Sequence, residues 1–121
     1  MLLTLKGRIP SKKNSKQIWK NQKTGRRFVV SSDAWHTFED NALKQLRSQY
    51  RGKPITHDGI AIDVTLLMKG KRKADIDNKL NGIFDLLQKA EIIADDDQIV
   101  TVTARKYKEQ PEDITEINLL L

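Results

Sequence analysis

The sequence contains no cysteine, which removes disulfide scaffolds, zinc fingers and thiol nucleophiles in one step. Its two histidines, His36 and His57, are too few for a multi-histidine metal site within one chain. Proline is scarce at three residues, and no stretch rich in Pro, Gly or Ser divides the chain. No apolar run approaches the roughly 18 residues of a membrane span. Met1 to Leu5 is too short for a signal peptide, and the first basic residue, Lys6, follows it rather than precedes it. These absences point to a cytoplasmic protein in a reducing compartment, with no membrane partner. Acid is missing too, but only locally. From Met1 to Ser32 there are nine Lys and Arg and no Asp or Glu.

What is present fits one folded domain over residues 1–121. A chain of this size buries roughly 65% of its unfolded surface, enough for a real core. Hydrophobic residues make up 38% and charged residues 31%, which excludes a disordered chain. The net charge of +6 favours a polyanionic partner, and its distribution sharpens that reading. Besides the basic N-terminal third, Lys69-Gly-Lys71-Arg72-Lys73 puts four cations in five positions. Seven of the 16 acids lie between Asp75 and Asp97, where only Lys79 and Lys89 are basic.

Periodicity supplies the elements. Leu2 to Ile9 alternates and predicts a strand closed by Pro10. Ser11 to Arg26 is polar and aperiodic and predicts a loop, with Arg27 to Val30 a short edge strand. A cap at Ser31, Ser32 or Asp33 opens a helix through about Tyr50, with Trp35, Phe38, Ala42, Leu46 and Tyr50 on one face. Ile60 to Met68 alternates as a strand with one buried face. A second helix begins near Asp77, with Ile76, Leu80, Ile83, Phe84 and Leu87 facing the core. Ala94 to Gln98 predicts an acidic turn, and strands follow at Ile99 to Tyr107 and at about Ile114 to Leu120. The order β(β)αβαββ describes an α+β, or α/β-like, domain: two main helices on a mixed β-sheet.

The chemistry concentrates in Lys71-Arg72-Lys73-Ala74-Asp75-Ile76-Asp77-Asn78-Lys79 and in Asp95-Asp96-Asp97-Gln98. Residues two apart on extended chain share a side, so Asp75 and Asp77 can point together. Asp77 also lies where a helix N-terminus favours an anion. Three or four converging carboxylates would repel by about 4 kcal/mol per close pair at an effective dielectric near 20. A cation must offset that, and oxygen-only donors select Mg²⁺ or Mn²⁺. Carboxylate-held Mg²⁺ beside a basic surface suits phosphodiester cleavage. The competing reading is plain: Asp-x-Asp at a helix start also arises from capping, and Asp-Asp-Asp also arises in solvated turns.

Asp75-Ile76-Asp77-Asn78, Phe84-Asp85, the Asp95-Asp96-x-Gln98 turn and the N-terminal Pro10-Ser-Lys-Lys-Asn14 together resemble the RusA family of Holliday junction resolvases, across essentially the whole chain. The resemblance implies a homodimeric, Mg²⁺-dependent endonuclease of phage, prophage or bacterial origin that nicks four-way DNA junctions symmetrically. It carries Asp75, Asp77 and Asp96 over as metal ligands, with Asp95 and Asp97 as neighbours. Two positions depart from the family pattern. Asn81 stands where the family usually has Lys, and Ala74 stands where a basic residue precedes the first Asp, leaving Lys73 one step back as the candidate catalytic cation.

Junction cutting needs two sites facing opposed strands, so a two-fold dimer also follows from the reaction's geometry. The expected DNA contacts are Lys12, Lys13, Asn14, Lys16, Arg26 and Arg27, then Lys69, Lys71, Arg72, Lys73 and Lys79, acting on phosphates without reading sequence. The rivals are a Mg²⁺-dependent nuclease for other branched DNA or RNA, and a non-catalytic DNA-binding module.

Overall fold

In the computed structural model, residues 1–10, 16–20, 27–31 and 33–121 are described, residues 16–20 and 27–31 through their backbone alone. Strands β1 (Leu2–Lys6), β2 (Lys16–Lys20) and β3 (Arg27–Ser31) precede helix α1 (Asp33–Gln49). Then come β4 (Ile60–Lys69), helix α2 (Ile76–Lys89), a 3-10 turn (Asp96–Gln98), β5 (Ile99–Gln110) and β6 (Ile114–Leu120). The mixed sheet and two helices are as the sequence predicts, and the element order is too, apart from the added strand β2.

β4 shows why the sheet forms. Ile60, Ile62, Val64, Leu66 and Met68 are buried, while Ala61, Asp63, Thr65 and Leu67 between them are only half-buried. That period of two gives one core face and one wet face. On the wet face Arg105 Nη1 donates to Asp63 Oδ1 at 2.6 Å. The main sheet runs β1-β6-β4-β5. β6 pairs antiparallel with both β1 and β4, whereas β5 pairs parallel with β4 from Ile60↔Ile99 to Leu67↔Tyr107. Parallel strands need a crossover, which is α2.

Trp35, Ala42 and Leu46 of α1 meet Ile83, Leu86 and Leu87 of α2 in one core with β1, β4 and β6. Phe38 and Tyr50 pack at its margin. The helices approach closely at Gly82, where an added Cβ would stand 2.9 Å from Trp35 Cη2. The face of α2 differs from expectation. Lys79, Gly82, Ile83, Leu86 and Leu87 are buried, with Leu80 and Phe84 at the core's edge and Ile76 half-exposed. The helix is rotated toward Lys79 because that side chain finds a buried acceptor.

Two boundaries are corrected. β1 ends at Lys6, because Gly7 turns the chain at φ +109° and donates its N–H to Asp113 O at 2.9 Å. The stretch read as a loop contains β2, which pairs antiparallel with β3 in a separate two-stranded sheet, from Lys16↔Ser31 to Lys20↔Arg27. Ladder pairing is a backbone property and needs no side-chain alternation. No helix among the described residues is long and apolar enough to cross a membrane.

Candidate functional site

After β4 the chain turns at Gly70, φ +76°, whose carbonyl accepts from the Glu109 N–H at 2.9 Å. The basic run that follows is only partly free. Asp113 accepts the Lys69 N–H at 3.0 Å and pairs with Arg72 Nη2 at 2.5 Å, so Arg72 is folded back as a structural ion pair. Burial would raise the Asp113 carboxyl, but the Lys69 N–H, Arg72 and Arg8 together hold it below the ordinary carboxylate value. Lys71 meets Glu109 at 3.4 Å with both side chains exposed, a pair worth little in water. Lys106 Nζ donates to Ala74 O at 2.7 Å, fastening the loop just before the first aspartate.

Asp75 occupies the cap position of α2 with extended backbone, φ −89° and ψ 124°, yet its carboxylate caps no helix N–H. Asn78 Nδ2 reaches it at 3.4 Å, a long contact. Asp75 and Asp77 are exposed and neither makes an ion pair among the described residues. Capping therefore does not account for Asp75.

Asp75 lies on the wall of a cleft of about 1020 Å³ between Lys6–Pro10, α1 and the start of α2. Lys6, Arg8, Lys73 and Lys79 line it with Phe38, Asn41 and Asn78. Arg8 and Asn41 were not singled out in the sequence, and Phe38 only as part of the apolar face of α1. The signal for Arg8 was its place just before Ile9-Pro10; nothing local marks the other two as cleft residues. Lys79, expected among the DNA contacts, is not an exposed surface cation. Lys79 is 9% exposed, and its ammonium donates to the Ile9 carbonyl. Burial, then the charges of Arg8 and Arg72, push that ammonium below the usual lysine value, against the pull of Asp113.

The acidic turn is built differently. Asp95 Oδ1 accepts the Asp97 N–H at 2.9 Å, so this carboxylate does cap. Gln98, 4% exposed, accepts from the Ala94 and Asp95 N–H groups, both at 2.8 Å. Its Nε2 donates to Ile55 O at 2.8 Å and His57 O at 2.9 Å. That clamp leaves Asp96 exposed at the turn's tip. A hydrogen bond shared with Asp95 pushes the Asp96 carboxyl up, helped by burial and by the charges of Asp95, Asp85 and Asp97.

The convergence expected of these carboxylates does not occur within one chain. Because β4 and β5 are parallel, the end of β4 and the start of β5 lie at opposite ends of the crossover. Asp75 and Asp77 stand at the start of α2, whereas Asp96 follows its end in the chain and has Asp85, Asp95 and Asp97 as its charged neighbours. Among the described residues, no three His, Asp or Glu side chains gather around one cation position. The donors nevertheless suit a hard cation chemically: they are oxygen-only, and Asp96 makes no ion pair among the described residues. The chain holds two partial donor sets.

Residues 9–119 match the family model of the endodeoxyribonuclease RusA. The chain belongs to the RusA family. Over 78 residues it is 36% identical to the crossover junction endodeoxyribonuclease RusA of Aquifex aeolicus (strain VF5). That match covers 64% of this chain and 61% of that protein, so the chain spans about three fifths of the relative's length. Both carboxylate segments fall inside the RusA match. The departure at Ala74 has a structural counterpart. Ala74 is 7% exposed and belongs to the core, where a charged side chain would need a partner. Of the expected DNA contacts, Lys12, Lys13, Asn14 and Arg26 lie outside the described residues. Lys16 opens β2 and Arg27 opens β3.

Proposed function

We propose that this RusA-family chain is a metal-dependent endonuclease that resolves four-way DNA junctions by paired nicks, acting as a two-fold dimer. The observation that carries the reading is Asp75: a carboxylate at a helix cap that caps nothing and lines a basic cleft. Asp75 and Asp77 of one subunit, with Asp96 of the partner subunit, would hold Mg²⁺ or Mn²⁺. Two-fold pairing supplies to each site what one chain keeps at its far end. A bound divalent cation supplies Lewis-acid polarisation of the phosphoryl group.

The chain's own residues do the rest. Lys73 faces the cleft beside Asp75 and neutralises charge on the cut strand. Lys69, Lys71 and the basic segment from Lys12 to Arg27 hold the junction arms through phosphates. Asp95 serves as the cap of the acidic turn and steadies Asp96 rather than ligating a cation itself.

The test mixes two inactive chains on a synthetic four-way junction with Mg²⁺. Asp75→Asn and Asp96→Asn homodimers should bind the junction and cut nothing. Their heterodimer regains one intact site in a split arrangement and should nick one strand. Silence from the mixture removes the split site. Wild-type binding with no Mg²⁺-dependent nicking removes the enzyme and leaves a DNA-binding module.

A further inference from the structure

The cleft beside Asp75 carries more positive charge than one scissile phosphate requires. Lys6, Arg8, Lys73 and Lys79 line it against the single carboxylate of Asp75. Asp75, at the N-cap of α2, and Lys79, four residues further on, both line this cleft. Asn81, where the family pattern has its lysine, instead shares the face of Asp77. Lys79 has three N–H donors, of which the Ile9 carbonyl takes one. Arg8, Arg72 and Asp113 lie near Lys79, and Asp113 is paired with Arg72. A buried ammonium with two guanidinium groups nearby and one acid among them leaves an uncompensated positive field. At about 1020 Å³ the cleft matches the upper end of the ~300–1,000 Å³ usual for small-ligand sites.

We propose that the Lys79 and Arg8 side of this cleft is an anion subsite, which seats the phosphodiester next to the one being cut, with Lys79 as its buried floor and Arg8 as its wall. The proposal rests on the endonuclease reading above. It places a fixed cation on the Asp75 side of the helix, whereas the family pattern places one on the Asp77 side. Lys79 and Arg8 are positioning residues: they hold the neighbouring linkage so that the cut linkage lies over Asp75. Held in place by Ile9, the Lys79 ammonium loses little freedom when the strand arrives.

The experiment uses four-way junctions carrying one neutral methylphosphonate linkage, placed in turn on either side of the cut. Single-turnover rates with Mg²⁺ are compared for wild type, Lys79→Met, Lys79→Arg and Arg8→Gln. One flanking linkage should slow the wild type about tenfold, and that penalty should shrink to under about twofold in Lys79→Met and Arg8→Gln, as coupled sites require. Lys79→Arg should restore it. Arg8 is exposed, so Arg8→Gln reads the subsite even if Lys79→Met does not fold. Penalties that stay the same in every variant, at every linkage, overturn the subsite and leave the endonuclease standing. An unmodified junction left uncut by the wild type overturns both.

Discussion

The ammonium of Lys79 donates to the carbonyl of Ile9, tying the start of the basic N-terminal segment to the helix turn that carries Asp77. Truncating Lys79 to Ala would leave that carbonyl without its partner beside the buried Ile9 side chain. An unpaired buried acceptor costs about 1–3 kcal/mol. Urea denaturation of Lys79→Ala should show a loss of that size. An unchanged midpoint would mean that water replaces the ammonium.

Gln98 joins four backbone groups from two short segments around the acidic turn. Gln98→Glu keeps the acceptor for Ala94 and Asp95 but cannot donate to Ile55 and His57. It should lose about 1–3 kcal/mol for each buried partner left unpaired. Junction cutting should fall further than junction binding, because Asp96 rides on this turn. Equal losses in both, measured by gel shift and by nicking, would place Gln98 in stability alone.

Acid should expose the Asp113 cluster. The folded-state carboxyl lies below its ordinary value of 3.8, so the unfolded chain takes up the proton first. Its contribution is therefore present above the unfolded value and is lost as pH falls through the folded one. Acid titration of stability should show a step below about pH 4 that is missing in Asp113→Asn. A step of the same size in the variant would assign it to other carboxylates.

The basic run should divide under salt. Each phosphate neutralised on duplex contributes about −0.9 to the log–log slope of affinity against salt. Lys73→Ala should flatten the slope by about that one unit. Arg72→Ala should leave the slope nearly unchanged and lower stability instead, because Arg72 is committed to Asp113. A large change of slope in Arg72→Ala would return that guanidinium to the DNA surface.

Much of this was legible from residues alone, and the exceptions share a cause. The alternation of Ile60, Ile62, Val64, Leu66 and Met68 announces β4, and Trp35, Ala42 and Leu46 announce the buried side of α1. The Asp-x-Asp-Asn and Asp-Asp-x-Gln segments mark the candidate site before any coordinates. Periodicity, however, reports which face of an element is buried and carries nothing about its neighbour's direction. The parallel pairing of β4 with β5, and with it the separation of Asp75 from Asp96, is a property of two strands together. Lys79 misleads for a related reason: its inward turn depends on a carbonyl 70 residues away in sequence. Asp75 and Asp95 look alike as cap residues, and only their hydrogen bonds tell one from the other.

The parallel crossover also works as a ruler. In the proposed dimer each chain would contribute Asp75 to one site and Asp96 to the other, so the crossover through α2 would set how far apart the two sites lie. A turn inserted into α2 would then change the interval between the two nicks before it changed the chemistry at either end.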